Sequence, residues 1–130
     1  MPQEIAVVDG DIEGAAIETA PHWFEEALAR TPESRFVSVK GARIHYLRWG
    51  DPAKPGLLFT HGNGAHAYWW AFIAPFLADD YCVAAIDLSG MGDSEHRDHY
   101  AIDLFAEEQF AVAEDAGFFA SGHKPVFVGH

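Results

Sequence analysis

Apolar and polar positions divide the chain into short segments from residue 35 onward. Arg35 to Val39 alternates polar and apolar, which predicts a half-buried strand. Gly41 makes a turn, and Ala42 to Trp49 alternates again: Ile44, Tyr46, Leu47 and Trp49 are apolar, with basic residues between. Two such runs joined through a glycine predict a hairpin. Gly50, Asp51, Pro52 and Pro55 form a loop. Gly56 to Thr60 carries Leu57-Leu58-Phe59 without alternation, as a strand buried on both faces does. A turn follows at His61-Gly62-Asn63-Gly64. A helical stretch from about His66 to Ala78 is dense in Trp69, Trp70, Phe72, Ile73 and Phe76. Pro75 inside it predicts a kink or an early break.

Tyr81 to Leu88 is a second apolar strand, built on Val83-Ala84-Ala85-Ile86 and leading into Asp87. A second glycine turn, Ser89-Gly90-Met91-Gly92-Asp93-Ser94, and a polar loop come next. The spacing then predicts a helix over Tyr100 to Ala116. Ile102, Phe105, Ala106, Val112, Ala113 and Ala116 fall on one arc, and Asp103, Glu107, Glu108, Glu114 and Asp115 on the other. Such a helix lies on a sheet with its charges in solvent. Gln109 is the polar exception on the apolar side. Gly117 and Gly122 end the helix, and Pro125-Val126-Phe127-Val128 is a third apolar strand.

A hairpin followed by strand, helix, strand, helix, strand predicts an α/β fold with a parallel sheet covered on both faces. Three parallel strands and a hairpin make about half of a doubly wound sheet. Residues 35–130 therefore read as the front portion of a longer domain rather than a complete small one. Residues 1–34 hold one base, Arg30, and eight of the acids, so they read as an acidic N-terminal arm. Pro21 to Arg30 fits a short helix with proline near its start. The arm is expected to be a solvated extension, with docking or lid contact as the other reading.

Composition narrows the function. Lys+Arg number 8 against 20 Asp+Glu, a net charge of -12, which disfavours nucleic acid and anionic membrane as partners and leaves a small-molecule substrate. Met1 to Thr31 lacks the basic and long apolar pattern of a secretory signal. No window approaches the roughly 18 apolar residues of a membrane helix. Cys82 is the single cysteine, so no internal disulfide or cysteine-based zinc site exists. It reads as a small buried hydrophobe. A cytoplasmic protein is expected.

The turn His61 to Gly64 is the leading candidate for chemistry, because glycines at a strand-to-helix turn let backbone N–H groups face a ligand. Gly62-Asn63-Gly64-Ala65-His66-Ala67 matches G-x-G-x-x-A, with Asp87 after the next strand, which would suit a dinucleotide. Against that stand the hairpin ahead of the glycine strand and the bulky Tyr68-Trp69-Trp70. The competing reading is an oxyanion hole, in which an N–H of the turn donates to an oxygen that becomes negative, worth roughly 3–4 kcal/mol in the transition state.

Four pieces in order, the hairpin, "THGNGAHAYW", "DLSGMGDS" and "PVFVGH", resemble the N-terminal portion of an α/β-hydrolase from about Phe36 to His130. The resemblance implies an eight-stranded, mostly parallel sheet of which this chain supplies strands one to five. It implies that Gly129 and His130 open the nucleophile elbow G-x-S-x-G. The nucleophile would be the next residue, and the acid and the histidine base would come later still, so the 130-residue chain alone is expected to be inactive. The backbone N–H of Asn63 would be one oxyanion donor. His61 and Gly62 would shape the turn, and Gly64 would let substrate approach. Gly90-Met91-Gly92 would pack near the same end of the sheet, braced by Asp87 and Ser94. In some relatives the residue after His-Gly also holds a halide or epoxide oxygen with its side chain, an option that Asn63 keeps open. The implied activity is hydrolysis of a small, fairly apolar ester or a related bond, with no cofactor. A serine nucleophile would favour an esterase, an aspartate an epoxide hydrolase or dehalogenase, and a residue that cannot attack a non-catalytic binding module.

The other polar residues have plainer readings. His96 and His99 form H-x-x-H beside Asp93 and Asp98, but no further ligand spacing is evident and no metal is expected. Trp69, Trp70 and Phe72 read mainly as core. Arg43 and Arg48 are expected in solvent, as is the charge run on the long helix.

Overall fold

The computed structural model describes residues 19–130. Helix α1 (His22–Ala29) starts directly after Pro21, whose carbonyl accepts the N–H groups of Phe24 and Glu25. Ala27 is buried, and the rings of Trp23 and Phe24 meet those of Phe76 and Phe72. At its end the Arg30 carbonyl accepts the Trp49 indole N–H at 3.1 Å, and the Arg30 guanidinium reaches the Pro75 carbonyl at 2.7 Å. This part of the acidic segment is packed on the fold. Residues 1–18, which hold the rest of the arm, lie outside the described residues.

The sheet contains β1 (Glu33–Val39), β2 (Ala42–Trp49), β3 (Gly56–Thr60), β4 (Cys82–Ile86) and β5 (Val126–Gly129), in the order β1-β2-β4-β3-β5. The β1–β2 hairpin is antiparallel, β2 pairs antiparallel with β4, and β3 runs parallel to both β4 and β5. This is the hairpin and parallel β-α-β-α-β arrangement that the pattern predicts. Every residue of β3 and β4 is buried, because both strands lie inside the sheet with apolar layers on either face. One layer joins Ile44, Tyr46, Leu58, Ala84 and Ile86 to Val112, Ala113 and Phe118. The other joins Leu47, Trp49, Phe59, Val83 and Ala85 to Ala67, Ala71 and Ala74.

The topology overturns the dinucleotide reading. A dinucleotide domain places the glycine strand first in a parallel sheet. Here a hairpin comes first, and its antiparallel β2 occupies the far side of β4.

Helical expectations also shift. His66 to Ala78 is not one helix: a 3-10 turn (Ala67–Trp70) is followed by the short α2 (Ala74–Leu77), with Pro75 in the first turn of α2. Proline is tolerated there and not in a helix interior. Trp70 stacks on Phe59 at 4.4 Å between centroids, and Phe72 packs on Phe24. Trp69, expected in the core, is instead 52% exposed.

Helix α3 (Ile102–Asp115) is rotated from its predicted setting. Its buried stripe passes through Glu108, Val112 and Ala113 to Ala116, while Ile102 is 81% exposed. Glu108, assigned to the solvated face, is wholly buried because Arg97 meets it from the preceding loop. Arg48 is not in solvent either. Its side chain is 11% exposed, held by Glu33 and by the Ala116 carbonyl at 3.1 Å, a helix C-terminus that favours a cation. Arg43 stays at the surface, its guanidinium 3.8 Å above the Phe36 ring.

Candidate active site

The carboxyl ends of β3, β4 and β5 meet at one edge of the sheet, where open α/β sheets bind ligands. The turn after β3 is set by His61. Its ring is buried, and its Nε2 accepts the Leu88 N–H at 3.1 Å. Nδ1 therefore carries the proton and donates to the Gly62 carbonyl at 2.8 Å. One side chain thus ties the turn after β3 to the end of β4. The Ala65 N–H closes the turn on Gly62 at 3.1 Å. Gly62 lies against His130, since a Cβ there would sit 2.8 Å from the His130 Nδ1.

Asn63 is exposed at the apex. Among the described residues no protein acceptor takes its backbone N–H. It borders two hollows. One, of about 470 Å³, is lined by Gly62, Asn63, Ala65, Trp69 and His130. The other, of about 430 Å³, includes Asn63, Ser89, Met91, Tyr100 and Phe105 in its wall. The Ser89 hydroxyl is buried without a partner among the described residues. The exposed Trp69 is therefore a wall of the hollow, and His130, at the end of β5, faces it.

Asp87 organises the neighbouring turn. Its Oδ1 accepts the Ala67 N–H at 2.6 Å, and its Oδ2 accepts the Asp93 N–H at 3.0 Å and the His45 Nδ1–H at 2.7 Å. Burial disfavours the charged carboxylate, but these donors outweigh it and hold the group below the usual aspartate range. The Ser94 hydroxyl donates to the Asp87 carbonyl at 2.6 Å and accepts the His45 N–H at 2.8 Å. Gly92 leaves room for this carboxylate: a Cβ there would lie 2.3 Å from it.

His96 and His99 belong to no cluster of three metal-ligating side chains among the described residues. The one such cluster is His45, Asp87 and Asp93, and its hydrogen bonds already satisfy Asp87. Sequence reasoning missed Arg97, Glu108 and the burial of His45. For His45, the signal was its position in a strand flanked by apolar residues on both sides.

Comparison with known proteins agrees with this fold. The sequence model of the alpha/beta hydrolase family matches residues 57–130. Epoxide hydrolase 1 of Caenorhabditis elegans is 35% identical over 101 residues, 75% of this chain and 24% of that protein. A haloalkane dehalogenase of Sphingobium indicum is 38% identical over 84 residues, 63% of this chain and 25% of that protein. The crystal structure of epoxide hydrolase A from Mycobacterium thermoresistibile superposes with a TM-score of 0.67 at 30% identity, covering 77% of this chain and 31% of that one. The chain belongs to the α/β-hydrolase family. It spans about a quarter of the length of these two sequence relatives. Among the described residues no helix is long and apolar enough to cross a membrane.

Proposed function

We propose that the complete gene product is a hydrolase of a small, fairly apolar ester or related bond, working through a nucleophile, a histidine and an acid. The relatives named epoxide hydrolase and haloalkane dehalogenase favour an epoxide or a carbon–halogen bond as that related bond. The observation that carries the reading is the Asn63 amide, which has no protein acceptor among the described residues and borders the hollow lined by Gly62, Ala65, Trp69 and His130. An attacking group just after His130 would face the same hollow, and Asn63 N–H would hold the oxygen that gains charge. The Asn63 side chain offers a second donor for a halide or an epoxide oxygen. His61, Gly62 and Gly64 serve by shaping the turn.

The reaction implied needs no cofactor. The acidic balance and the single buried cysteine support a cytoplasmic setting, a small-molecule substrate and no polyanionic partner. In this reading residues 1–130 alone carry out no hydrolysis at the Asn63 turn, because the attacking group, acid and base that serve that turn lie outside them.

The test assays the complete gene product on an aryl ester, a styrene-type epoxide and a 1-haloalkane. Turnover of at least one class is expected, and it should fall when the residue after His130 is replaced by alanine. Binding of these compounds without turnover of any would establish a non-catalytic module instead.

A further inference from the structure

A second set of groups stands away from the Asn63 turn, on the hairpin. The Ser34 Oγ lies 2.7 Å from the His45 Nε2, and the His45 Nδ1 lies 2.7 Å from the Asp87 Oδ2. The ionised Asp87 can only accept, so the His45 Nδ1 carries the proton and the His45 Nε2 is left to accept from the Ser34 hydroxyl. This is the proton order of a serine–histidine–aspartate relay. The His45 ring is buried and fixed at both nitrogens, whereas Ser34 is exposed.

An amide donor lies beside the hydroxyl. The hairpin turn is the two residues Lys40 and Gly41, both with positive φ, which closes the ladder on the hydrogen-bonded pair Val39 and Ala42. Hydrogen-bonded pairs then alternate, leaving Ser34 and Phe36 in the other set. His45 bears this out: its carbonyl takes the Asp87 N–H at 2.9 Å and its N–H goes to Ser94, both away from β1. The Ser34 N–H therefore points off the outer edge of β1, which among the described residues pairs only with β2. Phe36, 38% exposed two residues along on the same face, supplies an apolar surface, and Arg43 caps it with a cation.

We propose that Ser34 is a base-activated nucleophile, a reactive site separate from the Asn63 turn, that takes activated aryl esters and fluorophosphonates. With an aryl ester, the Ser34 Oγ bonds to the carbonyl carbon while its proton passes to the His45 Nε2. The adduct then expels the aryl oxygen, which leaves as the phenol with that proton, and acyl-Ser34 remains. With a fluorophosphonate, a P–O bond forms at Ser34 and the P–F bond breaks, fluoride leaving with the proton.

The test treats the complete gene product with an alkyl fluorophosphonate and maps the adducts by peptide mass spectrometry. Mapping assigns each adduct to its residue, which separates the hairpin chemistry at Ser34 from the proposed hydrolase chemistry after His130. Ser38 is the internal control: it is exposed on the same strand and face, with no imidazole partner among the described residues. A positioned base contributes about 100-fold or more, so Ser34 should be modified about 100 times faster than Ser38. His45→Gln should bring Ser34 down to the rate of Ser38, and Ser34→Ala should abolish the adduct. A wild-type ratio above about ten supports the proposal, and a ratio of about ten or less overturns it. That ratio needs no variant, so it decides the matter even if His45→Gln fails to fold.

Discussion

Arg97 reaches from the loop after β4 into the middle of α3, where its Nε lies 2.9 Å from the Oε2 of the wholly buried Glu108. The same guanidinium donates to the carbonyls of Lys40 at 2.8 Å and Val39 at 2.6 Å, while the Glu108 Oε1 accepts the Ser89 N–H at 2.8 Å. One ion pair thus joins the hairpin, α3 and the turn after β4. Arg97→Ala strands a buried carboxylate and should cost about 3–5 kcal/mol in urea unfolding. Glu108→Gln in that background should recover part of the loss, since a neutral amide oxygen can still take the Ser89 N–H. A loss below about 1 kcal/mol for Arg97→Ala would show that the pair does not hold these elements together.

Asp87 gives the fold an acid limit. Its carboxyl is held below the usual aspartate range: burial opposes ionisation, but the donors from His45, Asp93 and Ala67 prevail. In the unfolded chain it titrates near 3.9, so the ionised group favours the folded state above about pH 4. That stabilisation is lost as pH falls through the lower folded value. Asp87→Asn leaves one of the facing donors without an acceptor and should cost about 1–3 kcal/mol at neutral pH. The gap between variant and wild type should narrow from about pH 4 downward, read as melting temperature against pH. A gap that stays constant to pH 2 would contradict the assignment.

The strands were legible because their burial has a simple pattern. Leu57-Leu58-Phe59 and Val83-Ala84-Ala85-Ile86 lack alternation, and both strands lie inside the sheet. The place of Asn63 followed from strand, glycine turn and helix in sequence. Glu108 was not legible, since a charge at a stripe position looks like a solvated face until its counter-ion is known. Arg97 lies in an irregular loop with no period to reveal its direction. Arg48 was misplaced for a related reason: alternation assigns a face but not what covers that face, here the end of α3. The Ser34, His45 and Asp87 link joins three strands or their ends diagonally, a relation that residue patterning within single strands does not carry.

Cys82 should be inert while the chain is folded. It is buried in β4, and burial pushes its thiol up from the usual range, so little thiolate forms at neutral pH. Ellman's reagent should find no thiol in native protein and one per chain in denaturant. Rapid native reaction at a rate set by reagent concentration would mean that β4 is open to solvent.

Two glycines with positive φ separate backbone strain from packing. Gly92 has φ 54°, and a Cβ there would lie 2.3 Å from the Asp87 carboxylate, which three donors fix in place. Gly64 has φ 78°, but among the described residues a Cβ there would meet nothing within 4 Å. Gly64→Ala should therefore cost about 1–2 kcal/mol from the left-handed backbone alone. Gly92→Ala carries the same strain plus about 1–3 kcal/mol of overpacking, and it displaces the carboxylate that anchors Ala67 and His45. Urea unfolding of the two variants should differ by at least about 1 kcal/mol, with Gly92→Ala the weaker. Equal losses would mean that the turn after β4 yields freely and that Asp87 does not clamp it.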